Sequence, residues 1–264
     1  MKIALTGNPN SGKTTTYNAL TGMHERVGNW AGVTVEKKEA PISKKFYVST
    51  EELIAVDLPG AYSMSPFTSE ESITSAYVKN ANPDVIINVV DATNLSRSLF
   101  FTTQLLELDV PVVVALNKTD INDKKDTRIN VAELSKKLGC PVIETVSTDE
   151  KGLEAVVKAA VDQYGKGQKA PYSQGEVDME NKDEVMEADK KRFAFVNKIV
   201  ASVEKRKVLT REKNSQDKLD EILTNRFLGL PIFALIMFLV FDISQSSLGE
   251  LHREESESID QKLS

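Results

Sequence analysis

The segment Gly7–Thr14, GNPNSGKT, constrains the fold of this 264-residue chain more than any other feature. It fits the pattern G-x-x-x-x-G-K-[ST], and it lies directly after the apolar run Ile3–Thr6 and before a helix-favouring stretch. In that context the backbone N–H groups and the helix N-terminus form a nest for phosphate oxygens. The sequence therefore predicts a phosphate-binding loop between a strand and a helix, with a Gly-rich turn of no function as the alternative.

Short β-branched runs alternate with longer amphipathic stretches from residue 3 to about residue 164. This alternation is typical of crossover helices on a parallel sheet, so the predicted fold class is α/β with a mostly parallel central sheet. Ligands of such sheets bind beyond the carboxyl ends of the strands. The predicted strands are Ile3–Thr6, Leu53–Asp57, Val85–Val90, Val110–Leu116 and Val142–Val146, with Val33–Lys38 as an edge strand. The predicted helices cover about 12–21, 69–80, 94–108, 130–138 and 152–164.

Composition divides the chain into five predicted segments. They are a nucleotide-binding domain at 1–164, a Gly/Pro/Ser-rich linker at 165–182, a helical domain at 183–226, an apolar segment at 227–249 and a polar tail at 250–264. The uncharged core of the apolar segment, 227–241, would form a helix about 22 Å long, whereas bilayer hydrocarbon is about 30 Å thick. It is therefore short for a complete span, and extension to Gly249 would place Asp242 in the apolar zone.

Net charge and cysteine usage limit the partners and the compartment. The formal net charge is −6 and the pI is near 5.2, so nucleic acid is not expected as the main partner. The single cysteine, Cys140, cannot form an internal disulfide, and two separated histidines, His24 and His252, do not form a metal site. The N-terminus lacks the apolar core of a signal peptide, so a reducing cytosolic compartment is expected.

The phosphate side of the predicted site combines the loop with a second motif. Lys13 is expected to reach the β- and γ-phosphates, and the Thr14 hydroxyl is suited to Mg²⁺. In Asp57-Leu58-Pro59-Gly60 the carboxylate can hold Mg²⁺ through water and the glycine N–H can meet a γ-phosphate, although Asp-x-x-Gly alone is a common turn. The predicted phosphate-binding residues are Asn8, Pro9, Asn10, Ser11, Gly12, Lys13, Thr14, Thr15, Asp57 and Gly60.

The base side of the predicted site follows the strand VVVALN, in the motif Asn117–Asp120, NKTD. A carboxylate at Asp120 can accept hydrogen bonds from the N1 and exocyclic amine of guanine. Adenine would leave it unpaired, because adenine N1 is an acceptor. A weaker element after the last predicted strand offers a backbone N–H to the guanine carbonyl. The predicted base-side residues are Asn117, Lys118, Asp120, Ser147 and Thr148, and the four elements together predict a GTPase that binds GTP and GDP.

Four stretches resemble the FeoB ferrous-iron transport family, specifically its cytosolic N-terminal G-domain: GNPNSGKTT, RVGNWAGVTVE, DLPGAYS and NVVDATNL. NWAGVT is the most specific, because small translational GTPases share the phosphate-binding loop but not that stretch. The similarity is close over residues 2 to about 160 and looser to Phe241. It implies a Ras-like P-loop GTPase followed by a small all-helical domain that serves as a spacer or a guanine-nucleotide-dissociation-inhibitor-like module. LGLPIFALIMFLVF resembles the start of the first membrane helix, and because the many-helix permease that the resemblance implies does not follow it, transport is not expected from this chain alone.

The resemblance also implies catalytic roles. Thr34 resembles the switch I threonine that completes Mg²⁺ coordination when GTP is bound, with a plain β-strand threonine as the alternative. Asn10 resembles an asparagine with which some relatives bind K⁺ in place of an arginine finger. Ala61 stands where Ras-like enzymes carry a water-orienting glutamine, so hydrolysis is expected to be slow and potassium-stimulated. The predicted catalytic residues are Asn10, Lys13, Thr34 and Gly60, and the predicted Mg²⁺ ligands are Thr14, Thr34 and Asp57.

The predicted function is therefore that of a GTP-binding and GTP-hydrolysing regulatory domain of a ferrous-iron transporter. Its expected location is the cytoplasmic face of the cell membrane, with the membrane permease as partner, and the isolated domain is expected to be soluble in the cytosol. Two alternatives stay open, namely a GTP-dependent switch for a protein partner unrelated to iron and a ribosome- or tRNA-directed GTPase, which the acidic pI disfavours. A homo-oligomer also stays open.

The remaining polar and aromatic residues have plain interpretations beside functional ones. Trp30 either covers the nucleotide or packs in the core, and Glu70 and Glu71 either act in switch II or form a charge pair at a helix N-terminus. Cys140 is expected to be a small buried hydrophobic residue. The basic runs 190–192 and 205–207 are expected to be solvated helix faces, with contact to anionic lipid as the alternative.

Overall fold

The computed structural model describes residues 1–22, 26–30, 36–48, 52–64, 68–81, 83–175, 177, 181–206, 230–231 and 233–242. The chain divides into two compact units, Met1–Lys207 and Val208–Ser264. The described strands are β1 (Lys2–Gly7), β2 (Arg26–Asn29), β3 (Glu36–Pro41), β4 (Ile54–Asp57), β5 (Val85–Asp91), β6 (Val112–Asn117), β7 (Thr127–Ile129), β8 (Val142–Thr145) and β9 (Glu204–Arg206). The described α-helices of the first unit are α1 (Lys13–Thr21), α2 (Ser69–Asn80), α3 (Leu95–Leu105), α4 (Thr119–Lys124), α5 (Val131–Leu138), α6 (Leu153–Gln163) and α7 (Lys182–Val203), and a short 3₁₀ turn (Ala92–Asn94) precedes α3.

Seven strands form one sheet in the order β2-β3-β4-β1-β5-β6-β8. Strands β4, β1, β5, β6 and β8 run parallel to one another, whereas β2 and β3 add an antiparallel edge. The central strands read as nearly continuous apolar runs, VIINVVD in β5 and VVVALN in β6, because both faces of the sheet are covered. The predicted α/β fold class with a mostly parallel sheet is confirmed.

Hydrophobic cores lie on both faces of this sheet. On one face α1 and α6 bury Tyr17, Leu20 and Val156 against the strands. On the other face the buried residues include Leu99 of α3 and Leu134 of α5. The sheet therefore forms the middle of three layers, and its carboxyl edge is free to carry the polar loops.

The five predicted parallel strands all occur, with ends shifted by one or two residues, and so do the predicted helices. The predicted edge strand at 33–38 begins at Glu36 in the described residues and continues to Pro41, while 33–35 lie outside them. Strand β2, helix α4 and the two-stranded sheet of β7 and β9 were not predicted. These elements are short and carry no apolar periodicity, since their formation depends on neighbours that are distant in sequence.

Helix α7 packs on the sheet unit through Val196, Ile199 and Val203, which share a hydrophobic cluster with residues of α3 and α5. The predicted solvated face at 190–192 is wrong for Arg192, which is buried. Its Nη1 pairs with Oε1 of Glu107, two residues after the end of α3, at 2.7 Å. Residues 204–206 likewise form β9 rather than a helix. A separate helical domain at 183–226 stays a prediction, since 207–229 lie outside the described residues.

The second unit is described only at 230–231 and 233–242, which are helical. Its large apolar side chains, Phe233, Phe238 and Phe241 among them, are exposed. Across the described ranges, no helix combines the length and the hydropathy that a membrane crossing needs. The predicted membrane-helix start at 227–249 stays a prediction, and the predicted tail at 250–264 lies outside the described residues.

Candidate nucleotide-binding site

A cleft of about 500 Å³ opens beyond the carboxyl ends of β1, β4 and β6. All of its lining residues except Glu70 belong to the predicted nucleotide-binding set. They are Asn8, Pro9, Asn10, Gly12, Lys13, Thr14, Thr15, Gly60, Glu70 and Lys118. The edge of the sheet thus gathers into one cavity residues that lie more than 100 positions apart in the sequence.

Two residues of the loop between β1 and α1 have positive φ angles. Asn10 has φ 64° and Gly12 has φ 93°, both in the left-handed region. A Cβ on Gly12 would lie 2.2 Å from Nδ2 of Asn117, so only glycine allows the loop to approach the end of β6 this closely. The loop closes on itself where the Ser11 N–H donates to the Asn8 carbonyl at 3.1 Å.

Lys13, which lines the cleft, forms an ion pair with Asp57 between Nζ and Oδ1. Their side chains are only 11% and 12% exposed. Lys13 is the first residue of α1 and Asp57 is the last of β4, so neighbouring parallel strands bring them together. The pair places a cation and carboxylate oxygens where phosphate and a hard divalent ion would meet.

The loop Leu58–Ala61 lies against the phosphate-binding loop. The Ala61 N–H donates to the Gly7 carbonyl at 3.2 Å, and a Cβ on Gly60 would come within 3.2 Å of the Pro9 ring. Thr74 of α2 donates from Oγ1 to the Pro59 carbonyl at 2.9 Å. Gly60 therefore lines the cleft beside the phosphate-binding loop, and its contact with a γ-phosphate stays a prediction.

Asn117 supports the site from behind. Its Nδ2 donates to the Ser11 carbonyl at 2.9 Å, and its Oδ1 accepts from the Ser147 N–H at 3.0 Å and from Ser147 Oγ at 2.9 Å. Ser147 Oγ also lies 2.7 Å from Thr16 Oγ1. The Ser147 N–H is therefore already paired, whereas Thr148 is exposed, and the backbone contact to guanine stays a prediction.

Asp120 lies in the first turn of α4, and its side chain is 41% exposed. Lys124, one turn later, lies 3.9 Å from it, a contact that contributes little at this exposure. The carboxylate lies two residues after Lys118, which lines the cleft, but Asp120 is not itself a lining residue, so its role in base recognition stays a prediction. Thr34, the predicted third Mg²⁺ ligand, lies outside the described residues, as do His24 and His252.

One charged residue of the site, Asp91, was missed by sequence reasoning. It ends β5, opposite Asn117 in the register of β5 and β6, and its Oδ2 pairs with Lys118 Nζ at 2.7 Å. The available signal was its position, since polar residues at strand carboxyl ends were otherwise read as ligand-facing. Asp91 was read only as part of a family resemblance.

The FeoB_N family, described as ferrous iron transport protein B, matches residues 1–160. The chain belongs to this family. The Fe(2+) transporter FeoB of Escherichia coli (strain K12) is 37% identical over 298 residues, which cover 91% of this chain and 38% of that protein. The Salmonella typhimurium (strain LT2) transporter is 36% identical over 300 residues, with the same coverage. The chain therefore spans only 38% of the length of these FeoB relatives.

Solved FeoB structures share the fold. The cytosolic domain of L. pneumophila FeoB has a TM-score of 0.70 and 29% identity, and the match covers 78% of this chain and 100% of that one. A GDP-bound mutant of S. thermophilus NFeoB has a TM-score of 0.65 and 31% identity at the same coverage. The predicted Ras-like G-domain is confirmed for this FeoB-family chain.

Several side chains near the cleft have structural roles in this FeoB-family chain. Glu70 and Glu71 both lie in the first turn of α2, as the interpretation of a charge pair at a helix N-terminus predicts. Glu70 also lines the cleft, whereas Glu71 is buried and accepts from the Tyr62 N–H at 3.3 Å. Trp30 packs edge-on against Tyr77 of α2, with ring centroids 5.3 Å apart, which supports the packing interpretation.

Cys140 is buried, as predicted, and burial raises the pKa of its thiol to about 12. The thiol is therefore protonated at neutral pH and is no nucleophile. Within the described ranges, no group of three or more His, Cys, Asp or Glu side chains is arranged to hold a metal ion.

Proposed function

We propose that this chain binds GTP and GDP and hydrolyses GTP, as the regulatory domain of a ferrous-iron transporter. The observation that carries the proposal is that one cleft is lined by residues of three separate motifs, namely the loop at 7–15, Gly60 and Lys118. Lys13 of this lining pairs with Asp57, and Asn117 donates to the Ser11 carbonyl behind it. The GDP held by the S. thermophilus relative supports a guanine nucleotide as the ligand.

The reaction is in-line attack of water on the γ-phosphorus. The bond from the water oxygen to phosphorus forms, the bond from phosphorus to the β–γ bridging oxygen breaks, and GDP and inorganic phosphate leave. Lys13 exchanges Asp57 for phosphate oxygens and stabilises the charge that develops between the β- and γ-phosphates. The Gly60 N–H donates to the γ-phosphate. Ala61 offers no group to orient water, so the intrinsic rate is slow.

The residues present fit two cations. The Thr14 hydroxyl and the largely buried Asp57 carboxylate are hard oxygen donors suited to Mg²⁺, and Thr34 is proposed as a third ligand. Asn10 lines the cleft and carries a neutral amide oxygen suited to a large monovalent ion such as K⁺. When bound, the two cations supply positive charge beside the reacting phosphates.

Potassium should accelerate GTP hydrolysis at least about tenfold over sodium, roughly 1.4 kcal/mol off the barrier, because no arginine is among the described residues that line the cleft to supply positive charge. Asn10→Ala should remove the difference and leave GDP binding nearly intact, since the loop backbone still cradles the phosphates. Single-turnover hydrolysis of GTP in the two salts at equal ionic strength measures both effects.

Asn80→Ala, at the exposed end of α2, is the matched control and should keep the potassium response. Equal wild-type rates in potassium and sodium would refute the potassium role. An Asn10→Ala protein that kept the full potassium response would show that residues other than Asn10 bind the ion.

ATP in place of GTP should give no turnover above background, and equal turnover of the two nucleotides would refute the GTPase assignment.

The coupling to iron rests on the relatives, which are named Fe(2+) transporters. We propose that a membrane permease is the partner of this chain and that the chain acts at the cytoplasmic face of the membrane. The acidic charge, −6 in total, argues against the alternative of a ribosome- or tRNA-directed GTPase. A switch for a partner unrelated to iron is the remaining alternative, and a homo-oligomer stays a proposal.

A further inference from the structure

Lys118 joins the guanine-side loop to the phosphate-binding loop. Its Nζ donates to the Asn10 carbonyl at 2.5 Å and to Asp91 Oδ2 at 2.7 Å. The Lys118 side chain is 28% exposed and that of Asp91 is 16% exposed, so water competes little with the ion pair. The Lys118 ammonium group therefore contacts both the backbone carbonyl of Asn10 in the phosphate-binding loop and the carboxylate of Asp91 at the end of β5.

Asp91 is itself fixed in place. Its Oδ1 accepts from the Thr93 N–H at 2.9 Å and from Thr93 Oγ1 at 2.7 Å, while its Oδ2 faces Lys118. The two oxygens thus have separate tasks. Oδ1 caps the 3₁₀ turn that follows β5, and Oδ2 anchors the ammonium group.

Both ends of the Lys118 to Asn10 hydrogen bond have left-handed backbones, with φ 66° and φ 64°. This conformation is unfavourable for a non-glycine residue and persists only where surrounding contacts favour it. The hydrogen bond from Lys118 Nζ favours this conformation of the Asn10 peptide. The strength of that hydrogen bond depends on how firmly Asp91 holds the ammonium group.

We propose that Asp91 is a positioning residue that acts through Lys118 on Asn10. It holds the Asn10 peptide in its left-handed conformation. The loop that begins at Asn117 and Asn10, the proposed K⁺ ligand, are thereby coupled, so that a change in one alters the other. The proposal rests on the function proposed above. It adds Asp91 as the residue that couples base recognition to the phosphate end of the site.

Asp91→Asn separates the two tasks of the carboxylate. The amide oxygen can still accept from Thr93, whereas the amide nitrogen cannot accept from Lys118. We expect release of a fluorescent GDP analogue to become about fivefold faster, the ratio of the potassium rate to the sodium rate to fall by a similar factor, and the melting temperature to stay within about 2 °C. Glu133→Gln, which removes the exposed pair with Lys137 at 3.4 Å, should change none of these quantities.

Lys118→Met and the double variant test whether Asp91 acts through Lys118. Adding Asp91→Asn to Lys118→Met should give no further acceleration of GDP release. A further fivefold acceleration in that background would overturn the proposal, and so would wild-type release rates in Asp91→Asn alone.

The release measurement also separates this proposal from the potassium role. A wild-type chain without a potassium preference would refute the ion assignment alone, and GDP release would still decide the role of Asp91. A wild-type chain that bound no GDP would overturn both.

Discussion

Asp120→Asn should weaken GDP binding at least about 100-fold and should shift the preference of the site toward xanthosine diphosphate. The carboxylate accepts two hydrogen bonds from guanine, and hydrogen bonds to a charged group contribute about 1.5 to 3 kcal/mol each, so losing them exceeds the roughly 2.8 kcal/mol of a 100-fold change. The new amide donates where the carboxylate accepted, and the extra carbonyl of xanthine accepts that hydrogen bond. Calorimetric titration with GDP and XDP measures both affinities.

Asp123→Asn is the matched control, because it removes an exposed carboxylate from the same short helix, α4. It should leave GDP affinity unchanged within about twofold. Undiminished GDP affinity in Asp120→Asn, without any gain for XDP, would remove Asp120 from base recognition.

Lys13→Met should lower the single-turnover rate of GTP hydrolysis at least about 100-fold. Removal of one preorganised donor to a developing charge typically lowers rates by about 10²–10³-fold, and Lys13 in addition carries a full charge. Its substitution also leaves the largely buried Asp57 carboxylate without its cation, which disfavours phosphate nearby. The rate is measured with the protein in excess of both GTP and the dissociation constant for GTP, so that weaker binding does not account for the loss.

The chain offers a control of the same chemistry. Lys45 also pairs with a carboxylate, that of Glu150, but its side chain is 63% exposed and lies outside the cleft lining. Lys45→Met should therefore hydrolyse GTP at the wild-type rate. A Lys13→Met protein within about threefold of wild type would contradict the role given to Lys13.

Sequence was sufficient for the parts of the site that are local. The segment Gly7–Thr14 and the motif Asn117–Asp120 each combine a strand end, a turn and a helix start within a few residues. The apolar runs of β5 and β6 likewise predict a sheet that is covered on both faces. Parallel topology then brings their carboxyl ends to one edge, which is why separate motifs could be assigned to one cleft.

The parts that sequence did not predict depend on register between strands or on contacts between helices. The pairing of Asp91 with Lys118 requires β5 to lie beside β6 with Asp91 opposite Asn117. The support that Asn117 gives to Ser147 requires β8 on the other side of β6. Buried Arg192 pairs with Glu107, which lies just after α3, and no periodicity in α7 reveals that partner.

The measurement that tests the central claim most directly is nucleotide-dependent iron transport in inside-out vesicles carrying this chain joined to its permease partner. With the wild-type chain, GTP should support Fe²⁺ movement and XTP should not. With Asp120→Asn the two nucleotides should exchange roles, because the substitution changes the preferred base and leaves the phosphate end of the cleft intact. Transport that ignored the nucleotide in both proteins, or that kept its GTP dependence in Asp120→Asn, would contradict control of iron passage by the cleft of this chain.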